Sequence, residues 1–167
     1  MGTGETTLHF ASQLGRRIGL VSIDPIFEVF HLEQAERYGL GLRVAGITGL
    51  GAVPEDFAAA FAGDAAAYKR MKAAFEASAL PLVARGADVV VPAGVLPGLL
   101  MSRERGFTIG HAPVVDCAAV ALKSAEMWVA LHKATSLEPS RGPSFALAPS
   151  RAVKDFRDFV ASGLRHD

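Results

Sequence analysis

The chain has 167 residues, half of them hydrophobic, and 17 Lys plus Arg balance 17 Asp plus Glu. That length and apolar content are enough for the core of one ordinary domain and exclude a disordered chain. Formal neutrality removes the long-range field that would favour nucleic acid, an anionic membrane surface or acidic substrates. The single cysteine, Cys117, excludes an intrachain disulfide and any metal site built from several thiolates, which fits a reducing cytoplasm. The start, MGTGETTLHFASQLGRR, lacks the basic-then-apolar order of a signal peptide. No apolar run reaches the roughly 20 residues that span a bilayer. The longest, Val114 to Leu131, is broken by Asp116, Lys123, Ser124 and Glu126, so a soluble cytoplasmic protein is expected.

In chain order, Leu8, Phe10, Ala11 and Leu14 recur at helical spacing from Glu5, and Gly15 suits a left-handed cap. Arg17 to Ile23 is short, apolar and β-branched, as a parallel strand buried on both faces requires. Asp24-Pro25 then supplies an N-cap and a first helical residue for a helix that runs to Gly39. A second strand is expected at Leu42 to Ile47, followed by the Gly-rich loop TGLGAVPED and another Pro-led helix start. An alanine-rich helix spans Asp64 to Arg85, with Pro81 in its last turns. The strand ADVVVP, the turn Ala93-Gly94 and a helical piece reaching Arg105 come next. Ala112 to Val115 reads as a fourth strand, with Pro113 tolerable near its start, and Ala118 to about Lys133 as a helix. This alternation predicts an α/β fold, a parallel β-sheet flanked by helices. The last part, 136–167, is a Pro/Ser/Gly-rich extended stretch closed by a helix from Arg151 to Leu164, with Phe156, Phe159 and Val160 on its apolar side.

Few segments carry chemistry. GTGETT, Gly2 to Thr7, has the glycines of a phosphate loop but neither its lysine nor a preceding strand, and it reads as a helix cap. GLGAV lacks a third glycine and a downstream acid. The histidines 9, 31, 111, 132 and 166 show no metal-ligand spacing, so no metal is expected; His111 stands out for lying just before APVVD. Two readings stand for Cys117. Its sulfur sits at a helix N-terminus that favours thiolate, or it is a small buried side chain under that helix. Asp116 reads as the N-cap of the same helix. Ser22, at the end of GLVSI, either donates to a substrate carboxylate or satisfies the strand-to-helix turn.

Taken together, GETTLHFASQLGRRIGLVSI, YGLGLRVAGI, GADVVVPAGVLPGLL and APVVDCAAVALKSAEMWVAL resemble the second half of the Asp/Glu/hydantoin racemase superfamily, over roughly residues 4 to 135. The resemblance implies one lobe of a two-lobed fold, formed by residues 1–135, in which 112–135 are the strand and helix that return to the first lobe. It also implies cofactor-independent proton transfer at the α-carbon of a small carboxylate, an amino-acid derivative or a hydantoin, by an isomerase or a decarboxylase-like lyase. Thiolates of such enzymes take the α-proton while hydrogen-bond donors hold the enolate-like charge.

The chain departs from that pattern. Ala93, in PAGVL, stands where the family has its second-lobe cysteine, and a methyl group moves no proton. The first-lobe cysteine has no counterpart here, and Cys117 matches a position often filled by glycine. The resemblance leaves Cys117 as the one thiol available as a catalytic base, with Ser22, Ala93, Gly94 and Val95 lining the substrate pocket. The alternative is a non-catalytic small-molecule-binding or structural module derived from the same fold. In either case the strand and helix from Ala112 onward need a partner, expected to be a second copy of the chain or a separately supplied first lobe.

Overall fold

The computed structural model describes residues 2–163; Leu164 and His166, named above, lie outside them. Two compact units divide the chain, Met1–Met127 and Trp128–Asp167. In the first, helix α1 (Thr3–Leu14) leads into β1 (Ile18–Ser22), α2 (Glu28–Arg37), β2 (Val44–Gly49), α3 (Pro54–Phe61), α4 (Ala65–Ala84), β3 (Val89–Pro92) and α5 (Val95–Met101). The three strands form a parallel sheet in the order β2-β1-β3, so the apolar run Ile18 to Ser22 lies in the middle and is buried throughout. This is the α/β architecture that the alternation of elements predicts.

Strand pleating assigns the two faces. Ile18 and Leu20 of β1 pack with Leu8 and Ala11 of α1, Ala35 of α2, and Val89, Val91 and Ala93 from β3 and the turn after it. Val21 and Val90 face the other way, toward Phe57 of α3, Met71, Phe75 and Leu82 of α4, and Leu100 of α5. The inward residues of α4, Ala67, Met71, Phe75, Ala79 and Leu82, recur at three- and four-residue spacing, which turns one stripe of the helix to the sheet. Asp64 caps it, accepting from Ala66 N at 2.8 Å and Ala67 N at 3.0 Å.

At the sheet's amino edge, the Arg43 guanidinium donates to Ser12 O at 2.7 Å and Gly15 O at 2.6 Å, satisfying carbonyls that the end of α1 leaves open. The Asp88 carboxylate accepts from Arg16 N and Arg17 N at 3.1 and 3.0 Å. Gly15 is not left-handed, as the sequence suggests, but extended at φ −155°. Glycine is required there for space, because a Cβ would lie 2.7 Å from Cβ of Asp88.

The expected fourth strand is also different. Ala112–Pro113 (β5) pairs antiparallel with Thr108–Ile109 (β4), and the segment meets the main sheet at a single parallel bridge, Val90 to Val114. Pro113 has no N–H to offer a ladder, and Val114 N is taken by Phe107 O at 2.9 Å. Helix α5 ends at Met101 rather than Arg105, and the turns after it are fastened by Glu104, which accepts from Tyr68 Oη at 2.7 Å and Lys72 Nζ at 2.9 Å.

Helix α6 (Cys117–Thr135) starts in the first unit, and among its residues Cys117 alone is buried. The second unit holds the end of α6, an extended stretch with one turn at Pro143–Phe145, and α7 (Ser150–Gly163), which buries none of its residues. Among the described residues, no helix is long and apolar enough to cross a membrane.

Candidate active site at the carboxyl edge of the sheet

In open parallel sheets, ligands bind beyond the carboxyl ends of the strands. That edge is formed here by Ser22, by the turn Ala93-Gly94 and by the loop after β2. Ala93 N donates to Val21 O at 2.8 Å, Leu50 N to Ser22 O at 2.9 Å and Ala52 N to Ile23 O at 3.2 Å, so the loops are tied to the central strand. Val21 is in register with Pro92 and Ser22 with Gly49, which sets Ser22 level with Ala93 one strand away. Ser22 shares the pleat of Ile18 and Leu20, so it faces the same side as Ala93.

Ala93 is 7% exposed and presents a methyl group. Gly94 follows at φ 109°, a conformation L side chains rarely adopt, and caps α5, whose first helical bond runs from Gly98 N to Gly94 O at 3.1 Å. Gly94 and Val95 are exposed. A small cleft of about 160 Å³ opens beside this edge, between Leu50–Ala52 and the α4 residues Ala67, Arg70 and Met71.

Cys117 takes the second of its two readings. It is 5% exposed, and its thiol donates to Pro92 O at 3.4 Å. Burial pushes its pKa up to about 12, with the Asp116 carboxylate acting in the same direction and the neighbouring Thr7 hydroxyl opposing it. The helix N-terminus therefore does not produce a thiolate at neutral pH. Thr7 Oγ1 is itself buried and closes no hydrogen bond of normal geometry. Asp116 caps α6 as expected, accepting from Ala119 N at 2.9 Å and from Ser102 Oγ at 2.7 Å.

The raised thiol pKa has a consequence for stability. A folded pKa above the unfolded value of 9.0 contributes nothing adverse below pH 9, and stability is lost as pH rises from there toward 12, because the unfolded chain ionises first. Cys117→Ala is expected to make the alkaline fall in urea midpoint shallower between those limits. The part due to Tyr68, also pushed up to about 12 by burial and by Glu104, remains.

The structure gives Ser22 a partner on the helix that follows its strand. Ser22 is 1% exposed, and its hydroxyl lies 2.9 Å from Nε2 of His31 on α2. Desolvation by burial lowers the pKa of His31, which keeps the ring neutral at pH 7. The sequence places His31 among scattered histidines, since nothing in a nine-residue separation announces the pair. His111 stands exposed on the turn between β4 and β5.

No protein-family profile matches the chain, and no curated protein does. Among solved structures the fold is similar to the allantoin racemase of Klebsiella pneumoniae, with a TM-score of 0.67 and 17% identity over 89% of this chain and 56% of that one. It is likewise similar to the allantoin racemase of Pseudomonas fluorescens, with a TM-score of 0.63 and 20% identity over 87% of this chain and 57% of that one. The chain thus shares its fold with part of these structures and spans just over half their length.

Proposed function

We propose that the chain is a substrate-holding lobe of an Asp/Glu/hydantoin racemase-type isomerase or lyase, acting at the α-carbon of a small carboxylate or hydantoin. The observation that carries this is the shared fold with two allantoin racemases across 89% and 87% of the chain, ending in a carboxyl edge at Ser22 and Ala93. Ser22, Ala93, Gly94 and Val95 contact the substrate in this reading, at the carboxyl edge and outside the cleft at Leu50–Ala52, and no cofactor takes part. Cys117 is not its resting base, because its buried thiol is protonated.

The likeness covers 56% and 57% of the racemase chains, and in this reading the described lobe works against a second lobe. We assign that role to a second copy of the chain. In support, α6 leaves Leu122 66% and Met127 52% exposed in the first unit, and α7 leaves Phe156 67% and Phe159 74% exposed in the second. Sedimentation is expected to give a dimer or larger assembly at micromolar concentration. A monomer throughout, or assembly only after a separately encoded lobe is added, contradicts the second copy.

A non-catalytic binding module is the second reading, favoured by the methyl group of Ala93 at the thiol position. Incorporation of deuterium from D2O at the α-carbon of allantoin, 5-substituted hydantoins and amino acids separates the two. The isomerase exchanges that proton, whereas the module binds without exchange.

A further inference from the structure

We propose that His31, oriented by Ser22, is the proton-transfer residue of this carboxyl edge, taking the α-proton of a small carboxylate or hydantoin. The inference rests on the isomerase-type reading above and names the group that performs its chemistry. Four observations carry it. Ser22 ends the central strand of the sheet, and its hydroxyl meets His31 Nε2 at 2.9 Å. The register sets Ser22 level with Ala93, on the same face, so the imidazole belongs to the carboxyl edge of the sheet, next to a side chain that is only a methyl group. Ser22 is buried and His31 only partly so, and the bond to Ser22 fixes the Nε2 end of the ring. Cys117, a buried thiol of that face, donates to Pro92 O at 3.4 Å and is held protonated there.

With the Nε2 proton donated to Ser22 Oγ, Nδ1 carries a lone pair. That lone pair takes the α-proton: the C–H bond breaks, an N–H bond forms, the C–H electron pair becomes the second bond between the α-carbon and the carbonyl carbon, and the carbonyl π pair moves onto its oxygen. The imidazolium then returns a proton, or a deuteron after exchange with D2O, to the same carbon. A single base works on one face, so this lobe alone gives exchange with retention; inversion needs a second group on the opposite face.

The test uses the full chain in D2O with allantoin and 5-methylhydantoin as probes, read by proton NMR against the uncatalysed rate. His31→Gln and His31→Asn are expected to lower exchange by about a hundredfold or more, the usual range for a general base, with thermal midpoints showing that they fold. Ser22→Ala is expected to change the His31 ring 15N shifts, as the fixed tautomer is lost, and to lower kcat for exchange by more than it changes KM. If His31→Gln keeps wild-type exchange, His31 is not the group while the isomerase reading stands; if Ser22→Ala leaves the ring shifts unchanged, the orientation by Ser22 is overturned. If wild-type protein gives no exchange, the isomerase reading falls and this proposal with it. Should the His31 variants fail to fold, diethylpyrocarbonate on the native protein replaces them. Carbethoxylation mapped to His31 by mass spectrometry must abolish exchange, and retained exchange overturns the proposal.

Discussion

Phe75→Ala is expected to lower the stability of the first unit by about 3–5 kcal/mol, the range for deleting a fully buried aromatic ring. Phe75 is 0% exposed at the middle of α4, in the cluster that joins α3, α4 and α5 to the sheet, and its ring lies 6.4 Å from that of Phe107. The neighbours cannot close the gap, because Met71 and Ala79 on the same stripe are already packed against the strands. Domains of this size are stable by about 5–15 kcal/mol, so the variant loses a large part of the total. Urea denaturation followed by circular dichroism measures it, with Leu80→Ala as the comparison: Leu80 is 56% exposed on the same helix, and its truncation is expected to cost under about 0.5 kcal/mol. Equal losses for the two would contradict the packing of α4.

Gly49→Ala is expected to disturb both stability and the candidate site. Gly49 ends β2 in register with Ser22, and a Cβ there would overlap N and Cδ of Pro25 and lie 2.6 Å from the carbonyl carbon of Asp24. Those are backbone and ring atoms with no freedom to swing aside. The turn after β1 must therefore move, carrying Ser22 and its bond to His31 with it. Overpacking of this kind costs about 1–3 kcal/mol. The expected result is a lowered urea midpoint together with altered His31 ring resonances. An unchanged midpoint would mean that the two turns are not in contact.

Much of this fold is legible in the sequence because its causes are local. RIGLVSI is a short apolar run with no room for a polar face, and the structure buries every residue from Ile18 to Ser22. Asp64 and Asp116 each precede a helix and cap it, since the capping bond spans two or three residues, whereas Asp24 caps a single 3-10 turn at Pro25–Phe27 and α2 starts after it at Glu28. What the sequence hides depends on distant contacts. Gly15 is fixed by Asp88, 73 residues on, and the fourth strand shrinks to one bridge because Phe107 captures Val114 N. Cys117 stood between two readings until the packing beneath Pro92 decided its burial. His31 lacked any signal, because its role needs α2 folded back beside the end of β1.

The account rests most heavily on proton exchange at the carboxyl edge, and one NMR measurement tests it directly. Allantoin is incubated with the full chain in D2O at neutral pH, and the resonance of its single carbon-bound proton is followed. The account predicts that this resonance disappears faster than in buffer alone, and that the excess rate is lost in His31→Gln. A rate equal to that of buffer, with allantoin and the 5-substituted hydantoins alike, would contradict the isomerase reading and leave a racemase-type fold that binds without turning over.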